Sequence, residues 1–374
     1  MFKYLIQRIA LAILTILIIT IVTYTLVAWF SHEPWSQEFV NKGGAQKFKM
    51  TSLQYVQQKM VENGWGRFDA EGQFHRIPII ERFFIYVGGI FKGDFGKIYL
   101  DTNRSISDYI PTVFFKPLKW TIIVTVPSFI MSVILGVLLG IWSGYKRGTW
   151  VDSVINTSSL LFVALPSFVI APFAIQIAMK LGIAPEVLNP EKQTSATGTE
   201  IFLSYLPVIL VVTLTSMVGY VIYTRNMLIT VINSNYVLIA KSKGLSQTQI
   251  FFKYILRNIS IPLSASIITS YMILLSGSLV IERYWNIPGS SQLIVNSFPN
   301  GEVNIVMFNI LFFTSLGIFN TILVDVSYVL LDPRIKYGQK SPKSLSAQIK
   351  AYFVRRKLIK ELIAKEKGVT NAAG

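Results

Sequence analysis

Cysteine is absent from the chain, which excludes disulfides, thiol catalysis and thiolate metal sites. Histidine is nearly absent too. His32 and His75 share one long polar stretch without metal-ligand spacing, and a lone loop histidine is ordinarily just solvated. Charge is scarce: 14% of the 374 residues are charged, where a soluble domain carries about a quarter. The deficit is concentrated. No Asp, Glu, Lys or Arg lies between Arg8 and Glu33, Lys119 and Lys146, Asp152 and Lys180, Glu200 and Arg225, Arg257 and Glu282, or Glu302 and Asp325. Each of these six gaps holds 22 to 27 residues, enough to cross a hydrocarbon layer of about 30 Å at about 1.5 Å per residue. One such stretch would suit a buried core helix; six in one chain exclude that. The expected fold is an all-α integral membrane protein with six transmembrane helices.

Lys3 and Arg8 precede the first run as in a secretory leader. The run outlasts an h-region, however, and no small-x-small site follows at Val27-Ala28-Trp29-Phe30, so it reads as a retained anchor. A net charge of +16 raises nucleic acid as a partner, but its distribution argues for topology instead. With a cytoplasmic N-terminus, segments 1–8, 143–153, 225–257 and 331–374 hold 20 of the 35 Lys and Arg but four of the 19 acids. The outer segments hold 15 basic residues against 14 acids, and Lys146-Arg147 in a short inner loop contrasts with sparse Lys192 outside. That asymmetry predicts that both termini are cytoplasmic, with a lipid membrane and no nucleic acid as partner.

The chain divides into residues 1–30 (N-terminus and first span), an extracytoplasmic insertion at 31–116, a core with spans two to six at 117–338, and a basic cytoplasmic tail at 339–374. Thr51-Ser52-Leu53-Gln54 offers a capping box inside the insertion, and Ile79 to Phe91 is a second apolar stretch there. The insertion therefore reads as a small ordered cap.

In span two, Ser132, Gly136, Gly140 and Gly144 place a small residue every four, the pattern that lets helix backbones approach closely in lipid. Pro127, Pro166, Pro172 and Pro207 are expected to kink or start spans two to four. Span five is the richest in hydroxyls. Ser266, Thr269, Ser270 and Ser276 are candidates for lining a hydrated path, although helix packing is the commoner use of such residues. Asp325 lies inside apolar sequence near the inner end of span six, where Arg334, Lys336 or the interface is within reach. The tail mixes Leu345, Ile349 and Phe353 with Arg355, Arg356 and Lys357. It suits either an interfacial helix on anionic lipid or a solvated tail.

The cytoplasmic stretch between spans four and five, about 233–258, is the most organised. Asn233, Ser234 or Asn235 can cap a short helix from Tyr236 to Lys243, which Gly244 stops. Ser246-Gln247-Thr248-Gln249 is a second capping box that starts another helix through Asn258. Two short helices at right angles would make a knob projecting below the bundle.

Asn235-Tyr236-Val237-Leu238-Ile239-Ala240-Lys241-Ser242-Lys243-Gly244-Leu245-Ser246 resembles the EAA loop of ABC-importer permeases, in the version found in the oligopeptide/dipeptide family. Leu256-Arg257-Asn258 and Pro262 match the same pattern. So do Tyr4-Leu5-Ile6-Gln7-Arg8, Gly93-Asp94-Phe95-Gly96, Glu282 followed by Pro288-Gly289, and Leu330-Leu331-Asp332-Pro333-Arg334. The likeness covers roughly residues 1–338 and is closer to the B-type subunit than to its C-type partner. Two positions depart from it. Leu238 stands where the general family has glutamate, which favours hydrophobic docking over ion pairing, and Ser290-Ser291 replaces the usual Leu-Gly.

The resemblance implies a type I ABC importer permease fold. It also implies that Tyr236, Leu238, Ala240, Lys241, Lys243, Gly244 and Leu245 couple the pore to a cytoplasmic ATPase. Glu282, Pro288 and Gly289 would form an outer gate. The chain has no G-x-x-x-x-G-K-[ST] loop, so ATP and Mg are expected on two separate ATPase subunits, with no cofactor here. A second, C-type permease and an extracytoplasmic peptide-binding protein complete the implied assembly, in a bacterial plasma membrane. Peptide is the implied cargo, with a metal chelate as the alternative. A proton-coupled carrier would want charge at mid-membrane, which spans one to five lack. A membrane enzyme would want a converging Ser/His/Asp set or paired carboxylates, and none is present.

Overall fold

A computed structural model describes residues 2–191, 195–331 and 349–359. Helix α1 (Phe2–Phe30) is apolar along its length. Only 11% of its spanning window is buried, against 50% for the fourth span, so α1 is peripheral.

The insertion that follows is ordered. It comprises α2 (Trp35–Asn41), α3 (Gly44–Phe48), α4 (Ser52–Glu62), a two-stranded antiparallel hairpin of β1 (Gly66–Phe68) and β2 (Phe74–Arg76), α5 (Ile79–Ile90) and α6 (Asp101–Arg104). The Thr51 capping box forms with both of its hydrogen bonds. The hairpin is a small departure from an all-helical chain. Trp35, Phe39, Tyr55, Trp65, Tyr86 and Tyr99 pack with Tyr24 of α1 into one aromatic core. This cap is tied down by Glu302, fully buried, whose carboxylate accepts from the backbone N–H of Tyr99 and Leu100 and from Asn103 Nδ2. An unpaired carboxylate is costly to bury, and three donors offset that cost.

Span two is α7 (Ile110–Tyr145), and its helix begins inside the segment expected to belong to the insertion. The reason is local: Pro111 sits in the first turn, and Val113, Phe114 and Leu118 bury against α16 despite the nearby Lys116. The third span is not one straight helix. α8 (Trp150–Ala164) and α9 (Ser167–Lys180) meet at 104°, because Leu165 is extended and Pro166 caps α9. Span four is α10 (Gly198–Ile232), opened by a complete Thr197–Glu200 capping box. Pro127 and Pro207 stay inside continuous helices.

The small-residue stripe of α7 is buried against α10 of the same chain. A Cβ on Gly136 would come within 2.7 Å of Met217 O, and one on Gly140 within 2.8 Å of Val221 O. Gly144 meets Leu228 in the same parallel register. These glycines let two backbones of this subunit touch, the close helix approach that the stripe predicted.

The second helix between spans four and five differs from expectation. α12 (Gln247–Ile250) runs through a π-helical turn (Phe251–Leu256) straight into α13 (Arg257–Leu275), the fifth span. After it come the short α14 (Leu279–Tyr284) and α15 (Ser290–Ser297), then α16 (Val303–Leu331), the sixth span. The whole is five long apolar helices plus one broken pair, a six-span bundle. Asp325 pairs with Arg8 of α1 at 2.7 Å, while Arg334 and Lys336 lie outside the described residues. Residues 349–359 are helical and exposed throughout. Their basic side chains fall all round the helix rather than on one face.

Candidate functional site

Between spans four and five, α11 (Asn235–Ser242) leaves α10 after Ser234, which is extended at its N-cap. The Ser234 hydroxyl donates back to Val231 O and does not cap the helix through its side chain. The C-terminal stop is a full Schellman motif: Leu245 N–H reaches Ala240 O and Gly244 N–H reaches Lys241 O, with Gly244 at φ 76°. Ser246 then opens α12 through the expected capping box.

The two faces of α11 differ. Val237 and Ala240 are buried with Leu228, Val231, Ile250, Ile255 and Ile259. Ala240 thus faces the bundle and cannot itself touch a partner, a correction to its expected contact role. Its small size lets the helix sit close. The opposite face presents Tyr236, Leu238 and Ile239, with Leu238 53% and Ile239 55% exposed, flanked by exposed Lys241, Lys243 and Gly244. Leu245 is part-buried where the chain turns. Apolar side chains standing in water on a helix this well fixed mark a contact surface. Beside α11 lies a cleft of about 340 Å3 lined by Gly144, Arg147, Val237, Lys241, Gln247 and Ile255.

One brace at this end was not foreseen. Asp152, in the first turn of α8, takes Arg225 Nε at 2.7 Å and Nη2 at 2.8 Å, and accepts from Ser143 Oγ and Gly148 N–H. A forked arginine–carboxylate pair joins spans two, three and four above α11. Its sequence signal was an isolated acid among the basic inner loops.

The hydroxyls of α13 are only partly gathered. Ser266, Thr269, Ile273 and Ser276 follow the spacing of one helical face, which is open at Thr269, Ile273 and Ser276. Ser270 turns to the Tyr220 hydroxyl of α10 and also donates to Ile267 O, and Ser276 donates to Ile273 O. Intrahelical bonds of this kind satisfy a hydroxyl without water.

At the other end, Glu282 is buried. It accepts from Thr121 Oγ1 at 2.8 Å and from Gln292 N–H, and Gly289 packs directly against its carboxylate. Burial pushes the Glu282 carboxyl up, and the Thr121 hydroxyl pulls it back. Pro288 is part-buried beside it. Glu282 and Gly289 therefore fasten the turn between spans five and six to α7. Among the described residues no three His, Asp or Glu side chains gather as a metal would require.

A six-span bundle with a braced knob between spans four and five suits a membrane transport component. The chain belongs to the family of binding-protein-dependent transport system inner membrane components, whose model matches residues 136–337. It is 29% identical to the oligopeptide transport system permease protein OppB of Mycoplasma genitalium, over 94% of this chain and 81% of that one. It is 28% identical to the dipeptide transport system permease protein DppB of Bacillus subtilis, over 91% of this chain and all of that one. A glutathione transport system permease protein, GsiC of Shigella flexneri, is 30% identical over 70% of this chain and 80% of its own length. The chain is thus a permease component of an ABC importer and not an enzyme. The competing proton-coupled carrier falls with that membership, and Asp325 is engaged by Arg8.

Proposed function

We propose that this chain forms one half of a peptide-conducting pore in the bacterial plasma membrane, with both termini cytoplasmic. The apolar face of α11 is the observation that supports the coupling part of this reading. Tyr236, Leu238 and Ile239 stand exposed on a helix whose other face is locked to spans four and five. That helix would seat in a groove of a cytoplasmic ATPase, with Lys241 and Lys243 at the rim and Gly244 setting its direction. Closure of two such ATPases, which would hold the ATP and Mg, would then turn spans two to four through the Asp152–Arg225 brace. The pore needs a second permease of similar fold. Ser266, Thr269 and Ser276 would look into the path between the two, and an extracytoplasmic binding protein would deliver cargo near Pro288. The similar proteins are named for oligopeptides, dipeptides and glutathione, all of them peptides, which supports peptide cargo over a metal chelate.

The test is uptake by vesicles holding the chain with its partner permease, ATPases and binding protein. Labelled dipeptide, longer peptide and a nickel chelate are compared, with and without ATP. ATP-dependent accumulation of a peptide is the expected result, and accumulation of the chelate alone would overturn the cargo reading.

A further inference from the structure

The outer third of α1 and the amphipathic α5 enclose two adjoining cavities. The first is an apolar groove of about 330 Å3 lined by Ile21, Thr25, Trp29, Ile80, Phe83 and Phe84. The second is a cleft of about 310 Å3 whose polar lining includes Ser31, Glu33, Arg76 and Arg82. Trp29 and Ile79 line both, so groove and cleft adjoin. Depth along α1 is informative. Ile21 lies about 13 Å along the helix axis from Phe30, where the span ends, close to the thickness of one hydrocarbon leaflet. The groove therefore runs through a leaflet while the cleft sits at headgroup level, with Trp29, 72% exposed, at their junction.

The cleft carries an uncompensated charge. Arg82 lies over the Trp65 ring at 3.8 Å, and burial works against its charge; its hydrogen-bonding partner is the neutral Tyr24. Among the described residues no carboxylate is within ion-pair distance of Arg82 or of the exposed Arg76. Glu33, the only acid in the lining, is hydrogen-bonded by Ser36, which leaves two positive charges against one negative. A part-buried guanidinium normally has an anionic partner. Here the described residues supply none, and the adjoining apolar groove has room for a hydrocarbon chain. Exposed Ile80, Phe84 and Ile85 on α5 extend the apolar surface beside it.

We propose that this groove and cleft bind one anionic phospholipid from the leaflet on the insertion side, its phosphate at Arg76 and Arg82 and one acyl chain between α1 and α5. The bound lipid completes the seat of the cap on the first span.

The purified full chain is delipidated in detergent, and binding of phosphatidylglycerol and phosphatidylcholine is compared by native mass spectrometry. The wild type is expected to favour phosphatidylglycerol about fivefold, the scale of one interfacial arginine against an anionic headgroup. Arg76→Gln should bring that ratio close to one, and Arg76→Lys, which keeps the charge, should restore it. Thr25→Phe fills the groove and should weaken both lipids alike without changing the ratio. Inorganic phosphate should displace neither lipid. Equal binding of the two lipids by the wild type, or an unchanged preference in Arg76→Gln, would overturn the proposal. Tight retention in Thr25→Phe, or displacement by inorganic phosphate as a soluble-anion site would show, would overturn it equally. Thr25 is exposed, so its variant keeps the test open should Arg76→Gln fail to fold.

Discussion

The two ends of the bundle are built on opposite plans. On the insertion side, acidic and amide side chains are turned inward onto partners within the fold: Glu302 holds the cap, Glu282 holds the turn after span five, and Asn304 bonds Lys97 O and the Tyr99 hydroxyl. On the other side the chain turns apolar groups outward, at Leu238 and Ile239, on a helix fixed from behind. An end fastened by buried carboxylates holds its own elements together, the Arg76–Arg82 cleft being the place where a lipid would complete it. An end with exposed leucine and isoleucine on rigid backbone is complete only when something covers it. On the proposed function, the first end serves stability and the second serves coupling.

That contrast can be broken most severely at the Asp152–Arg225 brace. Asp152→Ala strands a largely buried guanidinium, 19% exposed, and should cost about 3 kcal/mol or more. The expected result is a large drop in the unfolding temperature of the detergent-purified chain. An unchanged value would mean that the brace carries no load. A smaller loss is expected from Gly136→Leu, which drives a side chain into Met217 O and should cost at least about 1–3 kcal/mol by overpacking. Because the clash lies within this subunit, thermal unfolding of the isolated chain should show it without any partner. If only the assembled complex were affected, the stripe would face another subunit. The smallest effect on stability belongs to Gly244→Val. Nothing lies within 4 Å of a Cβ there, so the cost is the left-handed backbone alone, about 1–2 kcal/mol. The unfolding temperature should fall only modestly while ATP-driven uptake falls much further, because α11 is re-aimed. A loss of uptake matched by an equal loss of folded protein would contradict that separation.

The six apolar stretches, the capping boxes at Thr51 and Ser246 and the glycine stop at Gly244 were legible because each depends on residues a few positions apart. What escaped depends on distant partners. Asp152 and Arg225 are 73 positions apart, and only the fold brings them together. Ala240 was expected on the contact surface because the resemblance places it in the loop, but helical phase puts it with Val237 on the buried face. The bend at Pro166 was marked by its proline, yet the 104° angle comes from an extended Leu165 that no periodicity reports. The hydrogen bond to Glu282 from Thr121, 161 positions away on another span, is likewise beyond local sequence. Substituting Ala240 with Glu would therefore bury a charge and test folding, not coupling.

The exposed face of α11 is the direct test of the central claim. Leu238→Asp combined with Ile239→Asp changes only side chains that already stand in water, so the unfolding temperature of the isolated chain should stay at the wild-type value. In the reconstituted complex, co-purification of the ATPase subunits and ATP-driven peptide uptake should each fall at least tenfold, the factor set by about 1.4 kcal/mol of lost contact. Wild-type co-purification and wild-type uptake in that double variant would contradict the assignment of α11 as the surface through which this permease is driven.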